Sequence, residues 1–191
     1  MSRTAAVTRK TKETDIKLNL SLEGGTAGID TGIGFFDHML YALAAHAGFG
    51  LRVSAEGDLN VDGHHTVEDV GIVLGQALRE ALGDRAGIAR FGQAKVPMDE
   101  ALADAALDLS GRPYLRYDVP ETQPRVGEYD ACLTGEFWRA VCLHAGMTLH
   151  ISAYGGNAHH VTEAVFKACA RAMKMAVRVE GTKVPSTKGI L

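Results

Sequence analysis

The spacing of apolar residues divides the chain into helical and extended segments. Apolar side chains recur three and four positions apart in residues 65–82 and in residues 160–177, which places them on one face of a helix. Two further helices are predicted over residues 36–45, with Gly48 as the stop, and over residues 135–144. Four helices are therefore expected, two in each part of the chain.

Alternation of apolar and polar residues marks the extended segments between these helices. It predicts strands over residues 14–22, 51–55, 103–109, 115–119 and 148–153. The resulting order of strands, helix, strand and helix occurs twice along the chain. This order is typical of an α+β fold.

A sequence repeat supports a duplication. Residues 46–54 and residues 144–152 share the pattern His-Ala-Gly-x-x-Leu-x-(Val or Ile)-Ser. Each copy precedes a His-His doublet, at residues 64–65 and at residues 159–160, and each doublet opens a predicted helix. Repeats of this kind indicate two copies of one structural unit that pack as a pseudo-symmetric pair.

The repeat sets the expected domain organisation. We predict one α+β domain of two duplicated half-domains, approximately residues 1–92 and 93–191. The joint is expected around residues 88–97, where Gly92 and Pro97 interrupt the pattern.

Composition narrows the class of protein. The 191 residues are 46% apolar and 23% charged, which are globular proportions, and the formal net charge of -3 gives no general basic excess for nucleic acid. No run of about 18 apolar residues suits a membrane span, and residues 1–12 lack the apolar core of a signal peptide. The three cysteines form no Cys-x-x-Cys pair, so reduced thiols and a cytoplasmic location are expected.

The two doublets belong to His-His-x-x-Glu motifs with metal-ligand spacing. On a helix, His64 and Glu68 lie on one face, as do His159 and Glu163. Adjacent histidines point about 100° apart, so a doublet can offer one ring to each of two ions. A single such motif is as often a chance decoration of a helix start, but two at matching places of a repeat favour metal binding.

Six of the eight histidines can be assigned to two ions, with three imidazoles and one carboxylate for each. Imidazole and carboxylate without thiolate suit Mn, Fe, Zn, Co or Ni, and sets that leave positions open are typical of catalytic sites. His46 and His144 are expected to cap helix C-termini instead. The predicted metal ligands are His38, His64, His65, Glu68, His150, His159, His160 and Glu163.

Further motifs along nearly the whole chain resemble the imidazoleglycerol-phosphate dehydratase family of histidine biosynthesis. They lie at residues 9–14, 34–40, 62–69, 90–92, 97–100, 108–114, 148–150, 159–163, 166–168 and 185–189. The chain departs from the family at Ala42, close to a position where relatives often carry Gln, and a second phosphatase domain is not expected.

The resemblance implies a fold, a metal and an assembly. Each half would form a small, about four-stranded sheet with two helices on one face. The active site would hold two Mn²⁺ ions and lie between subunits of trimers that assemble into a 24-mer. The partners would be the small-molecule substrate and further copies of the chain, with neither nucleic acid nor membrane.

The resemblance also implies a reaction. Water is removed from D-erythro-imidazole glycerol phosphate to give imidazole acetol phosphate, through a metal-bound imidazolate and a diazafulvene-type intermediate. Glu13 is the implied base or proton shuttle. Asp99 is a possible supporting residue that orients a ligand or donor, although capping of a turn accounts for it equally well. The implied phosphate-binding residues are Arg90, Arg112, Lys167, Ser186 and Lys188.

Two other functions fit the same ligands. A His/Glu metal hydrolase acting on a phosphorylated small molecule would release inorganic phosphate. A metal-assembled shell protein would use the histidines only to join subunits and would have no activity.

Overall fold

Over the described residues, 3–184 and 186–187, the computed structural model contains four helices, two four-stranded sheets and a short hairpin. The helices are α1 (Gly34–Ala47), α2 (His64–Leu82), α3 (Leu133–Ala145) and α4 (Ala158–Ala176). The first sheet consists of β1 (Thr4–Lys10), β2 (Thr14–Ser21), β3 (Ala27–Asp30) and β4 (Gly50–Gly57). The second sheet and the hairpin consist of β5 (Phe91–Met98), β6 (Ala101–Asp108), β7 (Tyr114–Asp118), β8 (Arg125–Val126), β9 (Tyr129–Asp130) and β10 (Thr148–Tyr154).

The two sheets have the same topology. The strand order is β1-β2-β4-β3 in the first sheet and β5-β6-β10-β7 in the second. In each sheet the first three strands pair antiparallel, and the last strand, β3 or β7, pairs parallel to its neighbour. This confirms the predicted α+β fold of duplicated halves, each with one sheet and two helices.

The helices lie between the two sheets. Helix α2 packs on the first sheet and on α3, whereas α4 packs on the second sheet and on α1. Each half therefore covers the other's helices, and the side chains of Phe137, Trp138 and Phe166 are fully buried where the halves meet. None of the helices in the described part of the chain has the length and hydropathy needed to span a membrane.

Two glycines allow α2 and α3 to pack closely. A Cβ atom on Gly71 would lie 2.8 Å from the carbonyl oxygen of Phe137, and one on Gly75 would lie 2.8 Å from that of Val141. Both positions are four residues apart and therefore face the same side of α2. Small residues on this face let the two backbones approach each other.

The predicted helices agree with the observed ones to within two residues at their ends, and the five predicted strands are all present. Three strands of the sheets, β1, β3 and β5, were not predicted. In β1 only Ala5 is buried, so the strand lacks the apolar alternation that marks the others. His46 and His144 lie in the last turns of α1 and α3, at the helix C-termini as predicted, but the capping residues are Gly48 and Gly146 in the left-handed conformation.

Residues 88–97 were expected to join the two halves, with a break in the pattern at Gly92 and Pro97. Most of this stretch is strand β5, the edge strand of the second sheet. Gly92 does not interrupt the strand. A glycine stands here because β5 passes directly over the backbone of α4. A Cβ atom at this position would lie 1.9 Å from the carbonyl oxygen of Ala172.

We expect the substitution Gly92→Ala to destabilise the fold by about 1–3 kcal/mol, the usual cost of forcing extra atoms into a packed interior. The clash is with main chain, which side-chain rotation cannot relieve. Gly34→Ala is the matched control, because no atom lies within 4 Å of the added Cβ. Urea denaturation of both variants measures the difference, and equal stabilities would contradict the close approach.

Candidate metal centre and active site

The two His-His doublets lie in the first turns of α2 and α4. The Asn157 side chain caps α4 and accepts a hydrogen bond from the backbone N–H of His159 at 2.9 Å. Asp62 accepts a hydrogen bond from the N–H of His64 at 2.8 Å in the corresponding place before α2. Equivalent turns therefore present both doublets at helix starts, as the repeat predicts.

Three of the predicted ligands converge in one chain. His38, His159 and Glu163 offer ligand atoms that all lie within 4.8 Å of one another, and we call this set the His38 cluster. The Nε2 atoms of His159 and His38 lie 3.2 and 3.5 Å from Oε2 of Glu163. Packing of α1 on α4 brings His38 to this place, and the ring of Phe35 contacts both imidazoles.

The carboxylate of the His38 cluster is charged although it is buried. Burial opposes ionisation of Glu163, but the hydrogen bond and charge of Lys167, together with His38, lower its pKa below the ordinary value. Lys167 Nζ lies 2.7 Å from Glu163 Oε1 and also contacts Met98. Lys167, predicted to bind phosphate, is thus placed beside the candidate metal ligands.

His65, on α2, lies among carboxylates of the first half. Its Nδ1 is 3.0 and 3.1 Å from the two carboxylate oxygens of Asp58, and its Nε2 is 3.9 Å from Oε2 of Glu13. The hydrogen bond to Asp58 raises the pKa of His65. His64 and Glu68 are half-buried on the same helix, and neither joins the His38 cluster.

His160, the counterpart of His65, is held in a similar way. Its Nδ1 lies 2.8 Å from Oε2 of Glu100, and its Nε2 lies 3.7 Å from Oδ2 of Asp99. The hydrogen bond from His160 and the backbone amides, which include those of Asn157 and Gly156, lower the pKa of Glu100 to about 2. The β5–β6 turn with Asp99 corresponds to the β1–β2 turn with Glu13, so both halves place a carboxylate near the second histidine.

Three other predicted residues lie on or beside the second sheet. Arg90 forms a bidentate ion pair with Asp108, at 2.6 and 3.0 Å, and Arg112 Nη2 is 3.4 Å from the same carboxylate. His150 is exposed between the buried Leu149 and Ile151, so it faces away from the helices. It belongs to the outer face of this sheet and not to the His38 cluster.

Backbone strain occurs at two of the predicted residues. Arg90 and Asp99 have φ angles of 70° and 48°, in the left-handed region that residues with a Cβ rarely adopt. Such conformations cost about 1–3 kcal/mol each and tend to occur at functional sites.

Of the two residues predicted near the C-terminus, Ser186 donates its N–H to the carbonyl of Val184, and Lys188 lies outside the described residues.

The prediction missed the carboxylates that hold the histidines and arginines, namely Asp58, Glu100 and Asp108. Glu100 stands next to Asp99 within the motif at residues 97–100, so its position in the sequence was a usable signal. Asp58 had no such signal, because its contact with His65 depends on the path of the loop between β4 and α2.

Comparison with known proteins identifies the family. The family model for imidazoleglycerol-phosphate dehydratase matches residues 31–173. Imidazoleglycerol-phosphate dehydratase of Methanosarcina mazei is 58% identical over 99% of this chain and 100% of its own, and that of Acidiphilium cryptum is 59% identical over 100% of both.

Solved structures agree with these relatives. The crystal structure of the Staphylococcus aureus dehydratase is 39% identical, with a TM-score of 0.85 over 92% of this chain and 99% of that one. The Pyrococcus furiosus structure, in complex with (S)-C348, is 40% identical, with a TM-score of 0.86 over 97% of this chain and 100% of that one. The chain therefore belongs to the imidazoleglycerol-phosphate dehydratase family.

Proposed function

We propose that this protein is a metal-dependent imidazoleglycerol-phosphate dehydratase, a carbon–oxygen lyase of L-histidine biosynthesis. It removes water from imidazole glycerol phosphate and yields imidazole acetol phosphate. Relatives of this name that match the full chain at 58–59% identity support the activity. The convergence of His38, His159 and Glu163 is the observation that carries the metal dependence.

The donor atoms of the His38 cluster fit a divalent transition metal. Two imidazole nitrogens and an ionised carboxylate suit Mn²⁺, and they leave coordination positions open for further ligands. We propose two Mn²⁺ ions per active site, bound by the eight predicted His and Glu residues. When bound, the ions would act as Lewis acids on the imidazole ring of the substrate and fix its orientation.

We propose that a second copy of the chain completes this site. Within one chain the His38 cluster contains two histidines and one carboxylate, whereas His150 faces outward from the second sheet. We propose that His150 reaches the metal site of another subunit, together with Arg90 and Arg112 from the same face. Trimers that assemble into a 24-mer would bring these surfaces together.

Glu13 is the residue of this chain best placed to move a proton. Its backbone N–H donates to Thr11 Oγ1 at 3.0 Å, and its carbonyl accepts from the N–H of Asp58 at 3.1 Å. The main chain is therefore held at both ends, while the carboxylate is half-exposed near His65. We propose that it takes the proton from the carbon next to the one that loses hydroxide. The enol left by these two bond cleavages becomes the ketone.

Product analysis of the purified protein with Mn²⁺ and imidazole glycerol phosphate tests this function. Dehydration gives a ketone and retains the phosphate ester. Release of inorganic phosphate would instead indicate the metal hydrolase. An assembled, metal-containing protein that leaves the substrate unchanged would indicate the shell protein without catalysis.

Arg112 provides a test of phosphate recognition. We expect Arg112→Ala to raise KM by about 10- to 100-fold with a smaller change in kcat, because hydrogen bonds to a charged group contribute about 1.5–3 kcal/mol. Arg139→Ala is the matched control, since the Arg112 and Arg139 side chains are 67% and 65% exposed and each pairs with one carboxylate. Equal KM values for the two variants would show that Arg112 does not bind the phosphate of the substrate.

A further inference from the structure

The second histidine of each doublet is held through the same ring nitrogen in both halves. Nδ1 of His65 contacts the carboxylate of Asp58, and Nδ1 of His160 contacts that of Glu100. The two carboxylates come from different elements. Asp58 follows β4, whereas Glu100 lies in the β5–β6 turn. The duplication therefore did not supply this contact twice, yet both halves possess it.

The hydrogen bond between Nδ1 and the carboxylate determines which ring nitrogen is available to bind a metal ion. An ionised carboxylate only accepts hydrogen bonds, so a neutral imidazole beside it carries its proton on Nδ1. The lone pair is then on Nε2, which is the atom that a metal ion requires. In both halves Nε2 points toward the turn that carries Glu13 or Asp99.

The Glu100 carboxylate and the Asp58 backbone are themselves held by hydrogen bonds. Glu100 Oε1 accepts hydrogen bonds from the backbone N–H groups of Gly156 and Asn157, at 3.3 and 2.9 Å, in the turn before α4. The backbone N–H of Asp58 donates to the carbonyl of Glu13. Asp58 thus joins His65 to the hairpin of the proposed base, and Glu100 joins His160 to the start of its own helix.

We infer that Asp58 and Glu100 are positioning residues, which fix His65 and His160 in the Nδ1–H tautomer and so set the affinity of both halves for the metal. This inference rests on the proposed function, because it takes the two histidines as metal ligands. Neither residue needs to touch substrate or metal in this role.

The substitutions Asp58→Asn and Glu100→Gln test the inference. Each keeps the size of the side chain but replaces an obligatory acceptor with an amide that can donate to Nδ1, which favours the Nε2–H tautomer. We expect Mn²⁺ affinity of the full-length, chelator-stripped protein to fall by about 10- to 100-fold, as is usual for partners of metal ligands. Titration followed by the electron paramagnetic resonance signal of free Mn²⁺ measures it.

Matched controls exist for both substitutions. Asp130→Asn replaces a side chain that is 28% exposed, against 24% for Asp58, and Glu180→Gln one that is 49% exposed, against 46% for Glu100. Both control carboxylates pair with arginine, and neither contacts a histidine among the described residues. The nitrogen-15 spectrum of histidine-labelled, metal-free protein adds a second measurement. We expect the Nδ1–H signals of one histidine to decrease in each test variant and not in the controls.

The outcomes separate this inference from the proposed function. Wild-type protein that binds no Mn²⁺ would contradict the metal dependence itself. Wild-type protein that binds Mn²⁺, with test variants that bind equally well and keep the wild-type tautomers, would overturn the positioning role and leave the dehydratase intact. If Glu100→Gln also loosens the α4 turn, Asp58→Asn decides, because no backbone amide donates to the Asp58 carboxylate among the described residues.

Discussion

The substitution Glu13→Gln is expected to lower kcat by about 10²- to 10⁴-fold, the range usual for loss of a general acid or base. Glutamine has the same shape but cannot accept the proton from the substrate carbon. The backbone hydrogen bonds of Glu13 with Thr11 and Asp58 do not involve its carboxylate, so the hairpin should be unchanged. Steady-state kinetics at saturating Mn²⁺ provide the measurement.

Three control measurements make this result specific to the Glu13 carboxylate. Circular dichroism and Mn²⁺ content should match those of the wild type, because Glu13 is not among the proposed ligands. Glu56→Gln, which changes an exposed carboxylate of β4, should retain wild-type turnover. Near-wild-type kcat in Glu13→Gln would show that another group carries the proton, and Asp99 would then be examined first because it occupies the corresponding turn.

Removal of metal is expected to have the second large effect. Treatment with EDTA should reduce turnover by about a thousandfold or more, because Lewis-acid stabilisation contributes several kcal/mol. It should also lower the particle mass in light scattering, since the proposed sites join subunits. Addition of Mn²⁺ should restore both turnover and mass.

Variants distinguish metal loss from general damage by the chelator. Glu163→Gln removes the charge that the His38 cluster shares, so the variant should behave like the EDTA-treated protein even in Mn²⁺. Glu136→Gln changes a helical carboxylate of α3 that pairs with Arg139, and should behave like the wild type. Full activity in protein freed of metal would refute the central proposal.

The amount of structure that could be predicted differs from element to element. Helices α2 and α4 were predicted well because each presents a long apolar face to its own sheet, and this periodicity is written locally in the sequence. Strands β1 and β5 were missed because each lies at a sheet edge, where few side chains are buried. In β5 the interpretation of Gly92 as a break failed because a close approach between strand and helix leaves no local pattern.

The sequence by itself determined the chemistry of the candidate site. The two His-His-x-x-Glu motifs specify imidazole and carboxylate donors, and helical spacing places His159 and Glu163 on one face. Residues three or four apart on a helix are neighbours whatever surrounds the helix. For this reason the local part of the candidate metal site could be predicted without a structure.

Only the tertiary structure decided which distant residues meet. Packing of α1 on α4 brings His38 to Glu163, and the path of two loops brings Asp58 and Glu100 to the second histidine of each doublet. In β10, the burial of Leu149 and Ile151 beneath the sheet leaves His150 on the outer face, away from the helices. These contacts form only when segments far apart in the sequence pack against each other. The free energy of the whole core decides that packing, so no local pattern in the sequence reveals it.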